Sequence, residues 1–326
     1  MNPSPAPGLP PASDPGPAAS AGGRRVLDLL TLAAGYLEKK GVPAARREAD
    51  ALLGHVLGCD RLHLYLRFEE SPAAEEVDRF RALMRRRGER EPLQYLTGRV
   101  RFAELELACD RRALIPRPET EDLAKLVAGL AGDGHPGRCA DIGTGGGCIA
   151  LHMASKGAAV LATDADPGAL ALARENAAAL GLDGRIRFAQ GPLYGPLAGE
   201  EPFDLIVSNP PYIAVGEKSG LQPEVARWEP EAALFAGAEG LDVLLPLLDG
   251  APARLRPGGW LALECGPGQA RALAQRARAS DAWALADTRR DSFAVERFLV
   301  CQKSQDRGAQ APPAPDAAPP GSVDHS

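Results

Sequence analysis

Cys139-Ala140-Asp141-Ile142-Gly143-Thr144-Gly145-Gly146-Gly147 decides the fold. Four residues suited to a strand run into a glycine-rich turn, and 148–156 behind it reads as a helix. Glycine lets the backbone turn sharply and approach a ligand closely. The same alternation repeats downstream. Strands are expected at 159–164, 186–189, 203–208 and 259–264, and helices at 167–180, 240–255 and 267–278. Two last strands fall near 284–287 and 296–300. This order predicts an α/β fold, a doubly wound and mostly parallel sheet with helices on both faces.

Upstream of the turn the period changes. Val26, Leu29, Leu30, Ala33 and Leu37 recur at helical spacing, and helices follow at 44–57, at 61–66 and from Ser71 to about 87. Ser71 reads as an N-cap with Pro72 at the first helical position. Arg99-Val100-Arg101-Phe102 and Leu105-Glu106-Leu107 alternate as two short paired strands. Residues 1–23 are mostly Pro, Ala, Gly and Ser, and residues 304–326 mostly Gln, Asp, Pro, Ala, Gly and Ser; with little to bury, both read as disordered tails. The plan is therefore a helical domain at 24–92, a β-hairpin linker at 93–113 and the α/β domain at 114–303.

The 326 residues are 45% hydrophobic and 25% charged, ordinary for a soluble globular protein. A net charge of -6 argues against a protein that coats nucleic acid. Six cysteines without a C-x-x-C pair, and scattered histidines, speak against a metal site and for reduced thiols. No apolar run is long enough for a membrane span, and no basic-then-apolar leader opens the chain. A cytoplasmic protein, away from membranes and monomeric, is the expectation.

Two segments carry chemistry. In the first, Gly143, Gly145 and Gly147 make a G-x-G-x-G turn, tighter than the dinucleotide pattern, whose amides face a ligand at the helix start. Asp164 ends the next strand, where an acid can hold the two hydroxyls of a ribose; it is equally placed to cap the helix that begins near Pro167. Together with Asp141 this resembles the S-adenosylmethionine site of Rossmann-like methyltransferases. In the second, Ser208-Asn209-Pro210-Pro211-Tyr212 follows an apolar strand, where open α/β sheets place ligands. An amide or aromatic-amine nitrogen is a poor nucleophile but carries N–H donors. The Asn209 side-chain oxygen and the Pro210 carbonyl can accept them, two prolines stiffen the acceptors, and Tyr212 offers a flat face.

This loop is shared with DNA adenine methyltransferases, but the rest of the chain resembles the HemK/PrmC family of peptide chain release factor N5-glutamine methyltransferases. The resemblance spans residues 25–300. It is carried by Glu91-Pro92-Leu93-Gln94-Tyr95-Leu96-Thr97-Gly98, by Leu114-Ile115-Pro116-Arg117-Pro118-Glu119-Thr120-Glu121, by Trp228-Glu229-Pro230 with Ala233-Leu234-Phe235, and by Leu263-Glu264 with Gly266 and Gln269. It implies S-adenosyl-L-methionine as cofactor, held by Gly143, Thr144, Gly145, Gly146, Gly147, Asp164, Leu193, Asn209 and Phe102. Catalysis falls to Asn209, Pro210 and Tyr212. These and Pro211 would bind the substrate, the glutamine of the Gly-Gly-Gln loop in class I release factors. The alternatives are a ribosomal-protein glutamine and a nucleic-acid adenine. The chain departs from the pattern at Pro192, where the family has an acid near the adenine; at Ala103, often a second aromatic; and at Cys265, a histidine in some members.

Overall fold

The computed structural model describes residues 23–130 and 137–305. Most of both tails thus lies outside the described residues. Those described divide into two compact units that part between Leu96 and Thr97.

The first unit is helical: α1 (Val26–Lys39), α2 (Ala45–Leu57), α3 (Arg61–Leu66), α4 (Ala74–Gly88) and the start of α5 (Leu93–Thr97). Each long helix turns one apolar stripe inward, and Leu30, Leu37, Leu52, Leu53 and Leu64 are fully buried. Two details differ from the sequence reading. Helix α4 begins after Ala73, not Ser71: the Glu76 carboxylate accepts the Ala73 N–H at 2.8 Å. Ser71 instead donates its hydroxyl to the Gly23 carbonyl at 3.0 Å. The segment 93–97, read as part of the linker, is the short helix α5, whose Leu93 and Leu96 pack into this helical core.

The second unit opens with an antiparallel hairpin, β1 (Arg99–Phe102) and β2 (Leu105–Ala108), followed by α6 (Pro118–Leu130). Then come β3 (Arg138–Ile142), α7 (Cys148–Ser155), β4 (Ala159–Asp164), α8 (Pro167–Ala179), β5 (Ile186–Gln190) and β6 (Phe203–Ser208). The chain ends with α9 (Pro223–Trp228), α10 (Leu244–Gly250), β7 (Leu255–Glu264), α11 (Gln269–Arg278), β8 (Trp283–Arg290) and β9 (Glu296–Lys303).

The seven-stranded sheet has the order β5-β4-β3-β6-β7-β9-β8, parallel except for the reversed β9. Successive side chains of a strand point to opposite faces. Cys139, Val160, Leu205 and Val207 therefore join α6, α7 and α8 on one face, while Ala140, Leu161, Ile206 and Leu263 join α10 and α11 on the other. Burial on both faces explains why these strands read as unbroken apolar runs.

The helix expected at 240–255 is shorter. Gly240 has φ +72°, and a Cβ there would fall 2.2 Å from the Tyr212 carbonyl oxygen. The chain at 240 is packed against the loop after β6 and enters α10 only at Leu244. Between β6 and α10 lie α9 and two short 3-10 turns, at 215–220 and 231–233, where the sequence suggested no element.

Candidate active site

The sheet grows from β3 to one side through β4 and β5, and to the other through β6 and β7. The carboxyl ends of neighbouring strands β3 and β6 therefore flank the switch point, where open α/β sheets leave a crevice. A cleft of about 300 Å³ opens there, within the range of small-molecule sites. Gly143, Thr144, Gly145, Gly146, Asp164 and Leu193 wall it beside Asn209, Pro210 and Pro211. Leu114, Pro116 and Thr120 complete it from the segment entering α6, with Val243 and Leu247 from the α10 region.

The glycine turn is built from within. Gly143 and Thr144 both donate their N–H to the Thr163 carbonyl at 2.8 Å, Gly147 donates to Thr144 at 2.9 Å, and Gly145 donates to the Asp164 carboxylate at 2.8 Å. Most amides of the turn are thus engaged by the protein, which corrects the expectation that they face a ligand. What the turn offers instead is backbone without side chain. Gly143 and Gly145 have φ +71° and +56°, and a Cβ at either would have nothing closer than 3.9 Å. Gly147 plays another part: it has φ +90°, and a Cβ there would sit 3.1 Å from the Ala173 Cβ and 3.2 Å from Leu151. It does not line the cleft but lets α7 and α8 approach.

Buried polar groups hold the turn. Asp141, 1% exposed, accepts the Thr144 hydroxyl at 2.6 Å and the Ala150 N–H at 3.0 Å, and burial pushes its carboxyl up to about 7. Asn176 of α8 accepts the Ala108 N–H at 2.7 Å and donates to the Gly146 carbonyl at 3.0 Å, tying the hairpin to the turn. Asp166 caps α8, accepting the Gly168 N–H at 2.6 Å. Asp164 is thereby released from capping. Its oxygens accept the Gly145 and Asp166 N–H groups, its carboxyl lies above the ordinary range through burial, and it faces the cleft.

Across the cleft, the loop after β6 is anchored from below. The Ser208 hydroxyl donates to the Ile142 carbonyl at 2.5 Å, binding β6 to β3. The Asn209 amide nitrogen donates to the Thr120 hydroxyl at 3.0 Å, and Thr120 donates to Glu264 at 2.9 Å. Tyr212 does not line the cleft; its hydroxyl donates to the other Glu264 oxygen at 3.3 Å, and its carbonyl accepts from Gln269 at 3.0 Å. Phe102 is not brought to the cleft either. It is fully buried beneath the hairpin, edge-on to His152 with ring centroids 6.4 Å apart. The segment from Leu114 to Glu121 is stapled to the chain after the loop: Glu229, 5% exposed, accepts the Ile115 N–H at 3.1 Å and pairs with Arg117 at 2.5 Å. Among the described residues no group of three or more His, Cys, Asp or Glu gathers to hold a metal ion, and no helix is long and apolar enough to cross a membrane.

Two family models match the chain: one described as the PrmC N-terminal domain over residues 28–98, one as the methyltransferase small domain over residues 123–224. The chain is 44% identical over 249 residues to a release factor glutamine methyltransferase of Geobacter sulfurreducens, covering 76% of this chain and 85% of that one. It is 44% identical over 279 residues to the protein of the same name from Deinococcus radiodurans, covering 85% of this chain and 98% of that one. The chain belongs to the release factor glutamine methyltransferase family. Among solved structures, the hMettl16 catalytic domain in complex with MAT2A 3'UTR hairpin 6 is 18% identical, with a TM-score of 0.51 over 71% of this chain and 82% of that one; the likeness is one of fold.

Within the family frame the three departures have structural settings. Pro192 lines the cleft next to Leu193, which takes φ +47°, a conformation uncommon outside glycine. Ala103 takes φ +50° at the turn between β1 and β2. Cys265 is fully buried behind β7, and burial pushes its thiol well up, so it stays neutral.

Proposed function

We infer that the chain transfers the methyl group of S-adenosylmethionine to the side-chain amide nitrogen of a glutamine in the Gly-Gly-Gln loop of class I release factors. The observation that carries the reading is a single cleft walled on one side by the glycine turn with Asp164, and on the other by Asn209 and Pro210.

The first wall suits the cofactor. Gly143 and Gly145 leave the space a Cβ would fill, and Asp164 presents carboxylate oxygens that suit two ribose hydroxyls. Leu193 suits the adenine edge. When bound, S-adenosylmethionine supplies an electrophilic methyl on a sulfonium. The second wall suits a planar amide. The Asn209 side-chain oxygen and the Pro210 carbonyl accept its two N–H groups and hold the nitrogen in one orientation, while Pro210 and Pro211 keep both acceptors stiff. Forming the new N–C bond would break the bond from methyl to sulfur, leaving its electron pair on sulfur, and would release one N–H proton to water. Both acceptors are neutral, so positioning supplies most of the rate. The Tyr212 hydroxyl is engaged with Glu264, so its part here is to hold the loop from behind.

The same reading makes class I release factors the partner and the cytoplasm the place of work. An adenine acceptor in nucleic acid fits less well: the chain is acidic and only 5% aromatic, whereas base capture needs basic and aromatic surface. The test is transfer of labelled methyl to purified release factor, to its glutamine-to-alanine loop variant, to ribosomal proteins and to DNA. Label on the intact release factor alone is expected; label on DNA or a ribosomal protein but not on the release factor overturns the reading. Asn209→Ala is expected to abolish transfer while leaving cofactor affinity within a few-fold.

A further inference from the structure

We propose that Thr120 and Glu264 are positioning residues that decide which end of the Asn209 amide faces the methyl acceptor. The proposal rests on the reading of Asn209 as an acceptor for the glutamine nitrogen, and adds the device that makes it one.

The argument is one of hydrogen-bond polarity. The two ends of an Asn amide have the same shape, but one donates and the other accepts. Only the oxygen can hold a substrate N–H. The nitrogen turned into the cleft would oppose donor to donor. Thr120 and Glu264 are each 1% exposed, so water cannot supply missing partners. An ionised Glu264 only accepts. It takes the Thr120 proton on one oxygen at 2.9 Å and the Tyr212 proton on the other at 3.3 Å. Thr120 has a single proton, already given, so toward Asn209 it can only accept. The Asn209 nitrogen fills that place at 3.0 Å, and its oxygen is left for the cleft. One carboxylate thus orients both Asn209 and Tyr212 in the substrate-holding loop.

Protonating Glu264 on the Thr120 side reverses the relay. Glu264 then donates to Thr120, Thr120 donates to Asn209, and the amide turns its nitrogen outward. Burial pushes Glu264 up to about 7, so both states lie within ordinary buffers. Thr120 of α6, Tyr212 and Arg297 of β9 favour its charged form, and Glu119 of α6 opposes it. The remaining titratable neighbours, Cys148 at the start of α7 and Cys265 beside it in the chain, are thiols held neutral by burial.

The test is made first on the 15N-labelled full chain with neither cofactor nor release factor present. The Asn209 side-chain NH2 resonance, assigned by its loss in Asn209→Ala, is expected to shift with pH around a midpoint near 7. Thr120→Val and Glu264→Gln are each expected to abolish that titration. In transfer assays Thr120→Val is expected to lose roughly tenfold to a hundredfold in kcat, the scale of one or two misplaced hydrogen bonds, with cofactor affinity retained as the check on folding. Thr120→Ser, which keeps the hydroxyl, is expected to recover most of the rate. An Asn209 resonance indifferent to pH and to both substitutions overturns the proposal, as does wild-type kcat in Thr120→Val. The resonance measurement needs no substrate. A release factor that is not methylated by the wild-type chain would therefore count against the proposed function and leave the relay standing.

Discussion

Asp164 shows how a neighbour decides what a residue is free to do. Its place before α8 suits a cap, yet Asp166, two residues on, fills that role. The Asp164 carboxylate is left in the cleft with lone pairs to spare after accepting two backbone N–H groups. Charge-assisted hydrogen bonds to hydroxyls are worth about 1.5–3 kcal/mol, so Asp164→Ala is expected to weaken S-adenosylmethionine binding by roughly tenfold to a hundredfold. Titration calorimetry reads this directly, and an unchanged dissociation constant removes Asp164 from the cofactor site. Asp164 and Asn209 were legible in the sequence because each sits at a strand end beside its own short motif. Thr120 and Glu264 each stand in a quoted motif, but their meeting was not legible, as the two ends of their bond are 144 positions apart in the chain. Only folding brings the start of α6, the end of β7 and the loop after β6 together, and no local period records that meeting.

At the scale of elements, Gly147 separates building a site from lining it. Read from the sequence, it is one of three equivalent glycines in a ligand turn. In the fold, a Cβ on Gly143 or Gly145 would meet only an ordinary contact at 3.9–4.0 Å, whereas Gly147 is where α7 passes α8. Gly147→Ala must hold a side chain at φ +90° and press it onto Ala173 and Leu151. Left-handed strain and overpacking together predict a loss of about 2–4 kcal/mol, read as a lowered denaturation midpoint. Cofactor affinity of the folded fraction should change little; a large loss of affinity at unchanged stability would return Gly147 to the cleft. The central strands were legible for the same reason that they are stable: burial on both faces favours apolar residues along them. Residues 213–243 were not, because their short turns are held by packing on the loop, as at Gly240, and carry neither the helical nor the strand period.

Across the whole molecule, two sets of carboxyl groups pull the pH dependence of stability in opposite directions. Asp110, Glu104, Glu200 and Asp287 are held below the ordinary carboxylate range, chiefly by hydrogen bonds from Arg112, Lys156, Arg187 and Arg289. Their contribution is present above the unfolded-state values and is lost as pH falls through the still lower folded ones. Asp141 and Glu264 are raised to about 7 by burial. The folded state keeps their protons where the unfolded chain has released them. Their contribution is therefore full below the ordinary carboxylate range and is lost as pH rises through about 7. Stability is expected to peak near pH 4–5, where the first set is complete and the second has only begun to be lost, and to fall from there until about pH 7. For Glu264 alone the fall amounts to at most about 3 kcal/mol, since each pK unit is worth about 1.4 kcal/mol. Glu264→Gln cannot ionise, so melting curves at pH 5 and pH 8 should show a smaller decline in the variant than in the wild type. An equal decline in both would mean that Glu264 is charged throughout this range, and would leave the Asn209 amide with one fixed orientation. A smaller decline would mean that the ionised carboxylate that accepts from Thr120 and Tyr212 is maintained at a cost to the stability of the fold.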